Sequence, residues 1–271
     1  MSFKNTLISN LNSLRYAITE PIQLKYYRAI NKIDYSDPNP FISVYVPTYN
    51  RGELLIERAV KSILSQTYTN FELIIIVDCC TDNTSELVSQ IKDERIRYFN
   101  IPKRGYRYPP TAINHWFNGS TVASNVALSM VRGAWIARND DDDIWTEDHL
   151  EKLVRFATSN NYEFVSSSYK TISSEGEENI IDSSGDEIPI GGTQTWLYRS
   201  YLKFVKYNIN CWRKKWNRVN DTDIQERMYK AGVRTGYLKE ITTIICPRPG
   251  ETHIGSKAYL TKQNEYENFY K

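Results

Sequence analysis

A chain of 271 residues is long enough for one large domain, or one domain with a small subdomain. With 41% hydrophobic and 24% charged residues it has an ordinary globular composition. The formal net charge of +2 excludes a global electrostatic attraction to nucleic acid or to a membrane, so any charge argument must be local. Cys79, Cys80, Cys211 and Cys246 have no CxxC spacing and read as reduced thiols. With no apolar h-region in MSFKNTLISNLNSLRY and no apolar run of about 18 residues, the expected location is the cytoplasm.

Residues 1–38 form a helical extension. Leu7, Leu11, Leu14 and Ile18, then Ile22, Tyr26, Ala29 and Ile33, recur at helical intervals, and Pro21 divides them into two short amphipathic helices. Their expected role is packing on the main domain or on a second copy, which leaves a homodimer open. Peripheral association with the inner face of a membrane is the lesser reading, because the polar face is not strongly basic.

From residue 39 the pattern alternates. Phe41–Val46 reads as a buried strand, and Leu54–Leu64 as a helix with Asn50 and Glu53 spaced like a capping box. Phe71–Val77 is a β-branched run typical of a central parallel strand, followed by a helix over Asp82–Ile91 and a strand over Arg95–Asn100. This order implies right-handed βαβ crossovers, with ligands at the carboxyl ends of the strands, after Val46 and Val77. The stretch 102–120, rich in Pro, Gly, Arg and Tyr, reads as an ordered loop; its Lys103, Arg104 and Arg107 would meet diphosphate oxygens as it closes. A helix over Thr121–Arg132 is stopped by Gly133, and the strand Ala134–Arg138 runs into Asn139 and four consecutive aspartates. Thr146 is expected to cap the next helix. Beyond 160 the sequence predicts strands and turns to 195, helices at about 196–206 and 221–231, and a strand at about 236–246.

Asp140 to Asp143 is the strongest chemical signal. Carboxylates this close repel and raise one another's pKa, a penalty that a hard divalent cation removes. Such a cation combines one or two carboxylates with phosphate oxygens. A solvated acidic turn is the bland alternative, and EF-hand ligand spacing is absent.

ISVYVPTYNRGELLIERAVKSILSQTYTNFELIIIVDCCTDNT and GAWIARNDDDDIWTEDHLEKL together resemble the inverting family 2 glycosyltransferases of GT-A fold, well over 41–157 and loosely over 195–255. The resemblance implies a mostly parallel α/β sheet flanked by helices, with 39–160 as a nucleotide-sugar half and 161–271 as an acceptor half of the same domain. It implies nucleotide contacts at Pro47, Thr48, Tyr49, Arg51 and Asp78, with Asn125 near the nucleotide. The family's D-x-D falls on Asp140 and Asp142. Asp142 or Asp143 is expected to touch a Mn²⁺ or Mg²⁺ ion, and Asp140 the ribose or a metal-bound water. His253 matches a late metal or phosphate contact. VDCCTDNT departs from the commoner VDDGSTD, leaving Cys79 and Cys80 as packing residues.

Inverting transfer needs a base that takes the acceptor proton on the face opposite the leaving group. NDTDIQERM resembles the family's ED-containing segment, which puts the base at Asp221, with Asp223 as fallback and capping of the helix as the bland reading. Upstream, Lys203, Lys206, Arg213, Lys214, Lys215 and Arg218 interleave with Tyr207, Trp212 and Trp216, a pattern suited to an anionic acceptor. The expected function is transfer of a single sugar from a nucleoside-diphosphate sugar, UDP-linked by family frequency. The acceptor would be a glycan, phosphorylated glycan or lipid-linked saccharide. Two rivals remain: a sugar-phosphate nucleotidyltransferase, which would want a Gly-rich phosphate loop that is absent, and a catalytically silent carbohydrate-binding protein.

Overall fold

The computed structural model describes residues 3–31, 34–103, 105–189, 191–213 and 219–262. Nine strands form one sheet: β1 (Ile42–Thr48), β2 (Phe71–Val77), β3 (Ile96–Asn100), β4 (Trp135–Arg138), β5 (Asp143–Trp145), β6 (Phe164–Ile172), β7 (Glu178–Ile181), β8 (Leu197–Arg199) and β9 (Thr235–Ile245). Their order is β3-β2-β1-β4-β8-β6-β9-β5, with β7 on the flank of β6. β1 to β4 run parallel. β8 is antiparallel to both β4 and β6, so β6 shares the direction of β4, and β9 is parallel to β6. The sheet is therefore mostly parallel.

Both faces are covered, which is why β1 and β2 are buried at every position. Side chains alternate across a strand. Val44 and Val46 meet Leu55, Ala59 and Ile63 from the helical segment 52–64, and Leu150 and Leu153 from His149–Ser159. Tyr45, Ile74 and Ile76 point the other way, to Ala123, Ala127 and Leu128 of Thr121–Met130 and to Ile224 and Met228 of Asn220–Ala231. Gly133 is needed for close approach: a Cβ there would lie 2.6 Å from the Ser43 amide nitrogen. Ser43 Oγ accepts the Gly133 and Arg132 amides and donates to Glu72, which Arg97 neutralises.

Several expectations change. The N-terminal extension is one helix, α1 (Phe3–Ile30), running through Pro21. Proline removes one backbone hydrogen bond, and contacts on both sides of it hold the rod. Leu24 is buried in the core, and Tyr27 stacks on Phe204 at 5.0 Å. Glu20 pairs with Arg227, whose guanidinium lies 4.3 Å from the Tyr16 ring, and Arg28 pairs with buried Glu163. The helix thus turns Tyr16, Glu20 and Arg28 inward and leaves Leu7, Leu11, Leu14, Ile18, Ile22 and Tyr26 exposed. Among the described residues no helix is long and apolar enough to cross a membrane.

The stretch 102–120 contains a helix, Ala112–Asn118, begun by Thr111, whose side chain accepts the Asn114 amide. Residues 196–206 are the short strand β8 and a 3₁₀ turn, Ser200–Phe204, because that segment fills the gap between β4 and β6. Asn50 does not cap the helix at 52; its side chain and Thr81 exchange hydrogen bonds of 2.8 and 3.0 Å. Thr146 does not cap at the backbone but donates to Asp148, the residue that begins the helix.

Candidate functional site

The carboxyl ends of β1, β2 and β4 open into a cleft of about 630 Å³. Pro47, Thr48, Tyr49 and Arg51 line it from the first loop and Asp78 from the end of β2. Asp140 to Asp143, Asp221 and His253 line it from elsewhere in the chain. The topology accounts for the meeting of distant residues: parallel strands deliver their C-terminal loops to one edge, and Asn220–Ala231 begins at that edge.

The aspartates are held one by one. Asp141 accepts from Thr48 Oγ1 at 2.8 Å and from Arg51 at 2.9 Å. Asp142 is paired with Arg248 at 2.6 Å and lies 3.7 Å from Arg51. Asp140 accepts from Arg138 at 2.8 Å and from Thr193 at 3.2 Å. Burial pushes the Asp142 carboxyl up, but Arg248 and Arg51 outweigh it and bring it below the ordinary carboxylate range. Asp143 has the reverse balance. Burial, then the charges of Asp142, Asp140 and Asp141, hold its carboxyl well above the ordinary range.

Arg58 fixes the loop from behind. It sits in a π-helical turn, Leu55–Val60, and donates to the carbonyls of Asp142, Cys246 and Pro247 at 2.8–3.1 Å. That ties the acidic loop to the segment after β9 which carries Arg248. π-turns of this kind recur at functional sites.

Asp221 stands in a different setting. It opens the helix Asn220–Ala231 and accepts the Thr222 amide at 2.7 Å. Burial raises its carboxyl above the ordinary range, with Arg138 pulling the other way. Asp223, the fallback base, is buried two residues on and paired with Arg227 at 2.9 Å. It is not among the residues lining the cleft.

Asp78 and Arg107 meet each other, in a bidentate pair of 2.6 and 2.7 Å with both side chains buried. Arg107 therefore backs Asp78 and does not itself line the cleft. Asn125 exchanges hydrogen bonds with the backbone of Tyr207 and also lies off the cleft. Of the basic and aromatic cluster at 203–218, the described members make separate contacts. Tyr207 is buried against Arg138, and Arg213 donates to Asn5 and lies over Trp212. Arg104, Lys214, Lys215, Trp216 and Arg218 fall outside the described residues. The four cysteines are free thiols; Cys80 accepts the Asn50 amide and Cys79 takes a left-handed conformation, φ 56°.

Arg138 and Arg248 escaped the reading of the sequence. For Arg138 a signal was present: a cation that ends a buried strand just before four acids needs counter-charges. Arg248 gave none, because its partner Asp142 is 106 residues away.

Among the described residues, no three His, Cys, Asp or Glu side chains converge to hold a metal unaided. The donor set nevertheless fits a cation shared with a substrate. Asp142 and Asp143 are successive residues that both line the cleft, and the raised Asp143 is the kind of group that a divalent charge returns to its ionised form.

A mostly parallel sheet with helices on both faces and a cleft at the carboxyl ends of its strands defines an α/β protein whose ligand site lies at those strand ends. Residues 43–218 match the family described as "Glycosyl transferase family 2", and the chain belongs to that family. The putative colanic acid biosynthesis glycosyl transferase WcaA of Escherichia coli K12 is 38% identical over 114 residues, 41% of this chain and 36% of WcaA. An Escherichia coli UDP-Glc:alpha-D-GlcNAc-diphosphoundecaprenol beta-1,3-glucosyltransferase, WfgD, is 33% identical over 131 residues, 48% of this chain and 46% of WfgD. The chain spans between a fifth and about half the length of the curated relatives it matches. In fold it is similar to S. aureus TarS 1-349, solved with UDP-GlcNAc, with a TM-score of 0.59 and 19% identity over 78% of this chain and 60% of that one. The GT-A fold expected from the sequence is the fold observed.

Proposed function

We propose that this glycosyltransferase moves a single sugar from a nucleoside-diphosphate sugar, UDP-linked, to a hydroxyl of a glycan or lipid-linked saccharide, with inversion. The carrying observation is that Asp221 lines the same cleft as Thr48, Asp78 and the acidic loop, with its carboxyl raised by burial. A base for a sugar hydroxyl works best when its pKa approaches the working pH. Asp221 takes the acceptor proton as the acceptor oxygen bonds to the anomeric carbon. The bond from that carbon to the diphosphate oxygen breaks, and the nucleoside diphosphate leaves with the electron pair. Thr48, Tyr49 and Asp78 bind the nucleoside. Asp142 and Asp143 would hold a divalent cation, which supplies Lewis-acid stabilisation of the diphosphate. The name of WfgD supports a UDP-sugar donor and a lipid-linked acceptor, and that of WcaA supports a place in polysaccharide biosynthesis.

The test is thermal stabilisation by a panel of nucleotide-sugars with and without Mn²⁺. Ligand at ~100 times its Kd adds about 2.7 kcal/mol, roughly 5–10 °C for a domain of this size. UDP-sugars with Mn²⁺ should give that shift. Release of pyrophosphate from a nucleoside triphosphate would instead identify a nucleotidyltransferase.

A further inference from the structure

α1 departs from the usual arrangement of a surface helix, in which apolar residues face the core: Leu24 and Tyr27 do so, but most of its large apolar side chains do not. Its polar residues Glu20 and Arg28 hold it to the domain, while eight large apolar side chains between Phe3 and Ile30 face outward. Phe3 is 84% exposed and the other seven are 47–63% exposed, along a helix about 42 Å long. An apolar stripe of this extent marks an interaction surface.

The charges on α1 select the occupant. Lys4, Arg15 and Lys25 are exposed, whereas Glu20, the helix's one acid, is buried and paired. Asp34 and Asp37 lie past its C-terminal end. Two copies packed through this face would bring cations together with no carboxylate of the helix to answer them.

We infer that α1 seats the protein on an anionic lipid surface, with its apolar stripe among the acyl chains and Lys4, Arg15 and Lys25 at the headgroups. This inference rests on α1 and is independent of the reading of the cleft. It reverses the order expected from sequence, in which packing on the main domain or on a second copy came before peripheral association with a membrane.

Co-sedimentation of the full chain with phosphatidylcholine vesicles, with and without phosphatidylglycerol, tests it. The expected result is binding that is at least ten-fold stronger to the anionic vesicles. Leu14→Ser with Ile18→Ser should reduce that binding ten-fold or more. Lys4→Gln, Arg15→Gln and Lys25→Gln together should reduce it to the level of neutral vesicles. Both variants should keep the wild-type melting temperature and the wild-type response to UDP, which separates loss of lipid binding from loss of the fold or the cleft. Equal binding to both vesicle types, no binding, or unchanged binding by the serine variant would overturn the inference. So would a wild-type dimer in solution that the serine pair converts to monomer without any vesicle binding.

Discussion

Asp142 and Asp221 line one cleft and are held in opposite ways. Asp142 is paired with Arg248, faces Arg51, and stays ionised. Asp221 accepts the Thr222 amide at a helix start, and burial raises its carboxyl. On the proposed function, environment rather than residue type divides the work: a carboxylate kept charged would hold the cation that meets the diphosphate, and one with a raised pKa would suit proton transfer. The same contrast appears inside the acidic loop, where Asp143 lacks the balance of guanidinium groups that Asp142 enjoys.

The largest expected effect breaks the contrast on the Asp221 side. Asp221→Asn should lower kcat by about 10³-fold or more, near the upper part of the range for general-base loss, while UDP binding is unchanged; steady-state kinetics with a binding titration reads both. The sign of its stability effect is a second check. A carboxyl whose folded pKa lies above its unfolded 3.8 binds its proton more tightly in the fold, so the folded state is favoured as pH falls through that window and penalised above it. Asp221→Asn should therefore melt no lower than wild type at pH 7, and the acid limb of the rate profile should lie above the ordinary carboxylate range. A variant that keeps the wild-type kcat, or that keeps the wild-type acid limb of the rate profile, would remove Asp221 from the role.

At the acidic loop, Arg248→Met leaves Asp142 with Arg51 as its nearest cation. Donor affinity should fall by roughly ten-fold, the size of one charge-assisted contact, with kcat at saturation less affected. Equal losses in kcat and affinity would merge the two roles into one.

Beneath the loop the expected effect is on stability and not on activity. His149 is fully buried, stacks on Trp145 at 4.0 Å and meets Thr242 through Nδ1, while its Nε2 has no hydrogen-bond partner. Burial brings its pKa down to about 3 from 6.5. Its neutral form is the folded form, so stability is complete above the unfolded value and declines as pH falls from 6.5 toward 3. At pH 4.5 the loss from this group should be about 2–3 kcal/mol, and His149→Asn should flatten that slope in urea melts.

The two halves of the chain also differ in how far the sequence revealed them. β1, β2 and β4 are local patterns, continuous apolar runs each ending in a polar loop, so the loops that line the cleft and the acidic run Asp140 to Asp143 followed from where those runs stop, whereas Thr48 and Asp78 were singled out by the resemblance. The helix Ala112–Asn118 was hidden by the Pro and Gly around it, though Thr111 after Pro109 and Pro110 was a legible cap. β8 carries only three residues, and its state is decided by long-range pairing with β4 and β6. Pairs such as Arg248 with Asp142 and Arg107 with Asp78 join distant segments, so sequence spacing cannot announce them. Asn125 was placed near the nucleotide by resemblance; here its amide braces the backbone of Tyr207.

The most direct measurement is a calorimetric titration of UDP with Mn²⁺ into wild type, Asp142→Asn and Asp221→Asn. Binding should be strong in wild type, at least ten-fold weaker in Asp142→Asn and unaltered in Asp221→Asn. Equal binding by all three proteins, or none by wild type, would contradict the division of the cleft into a donor site and a base.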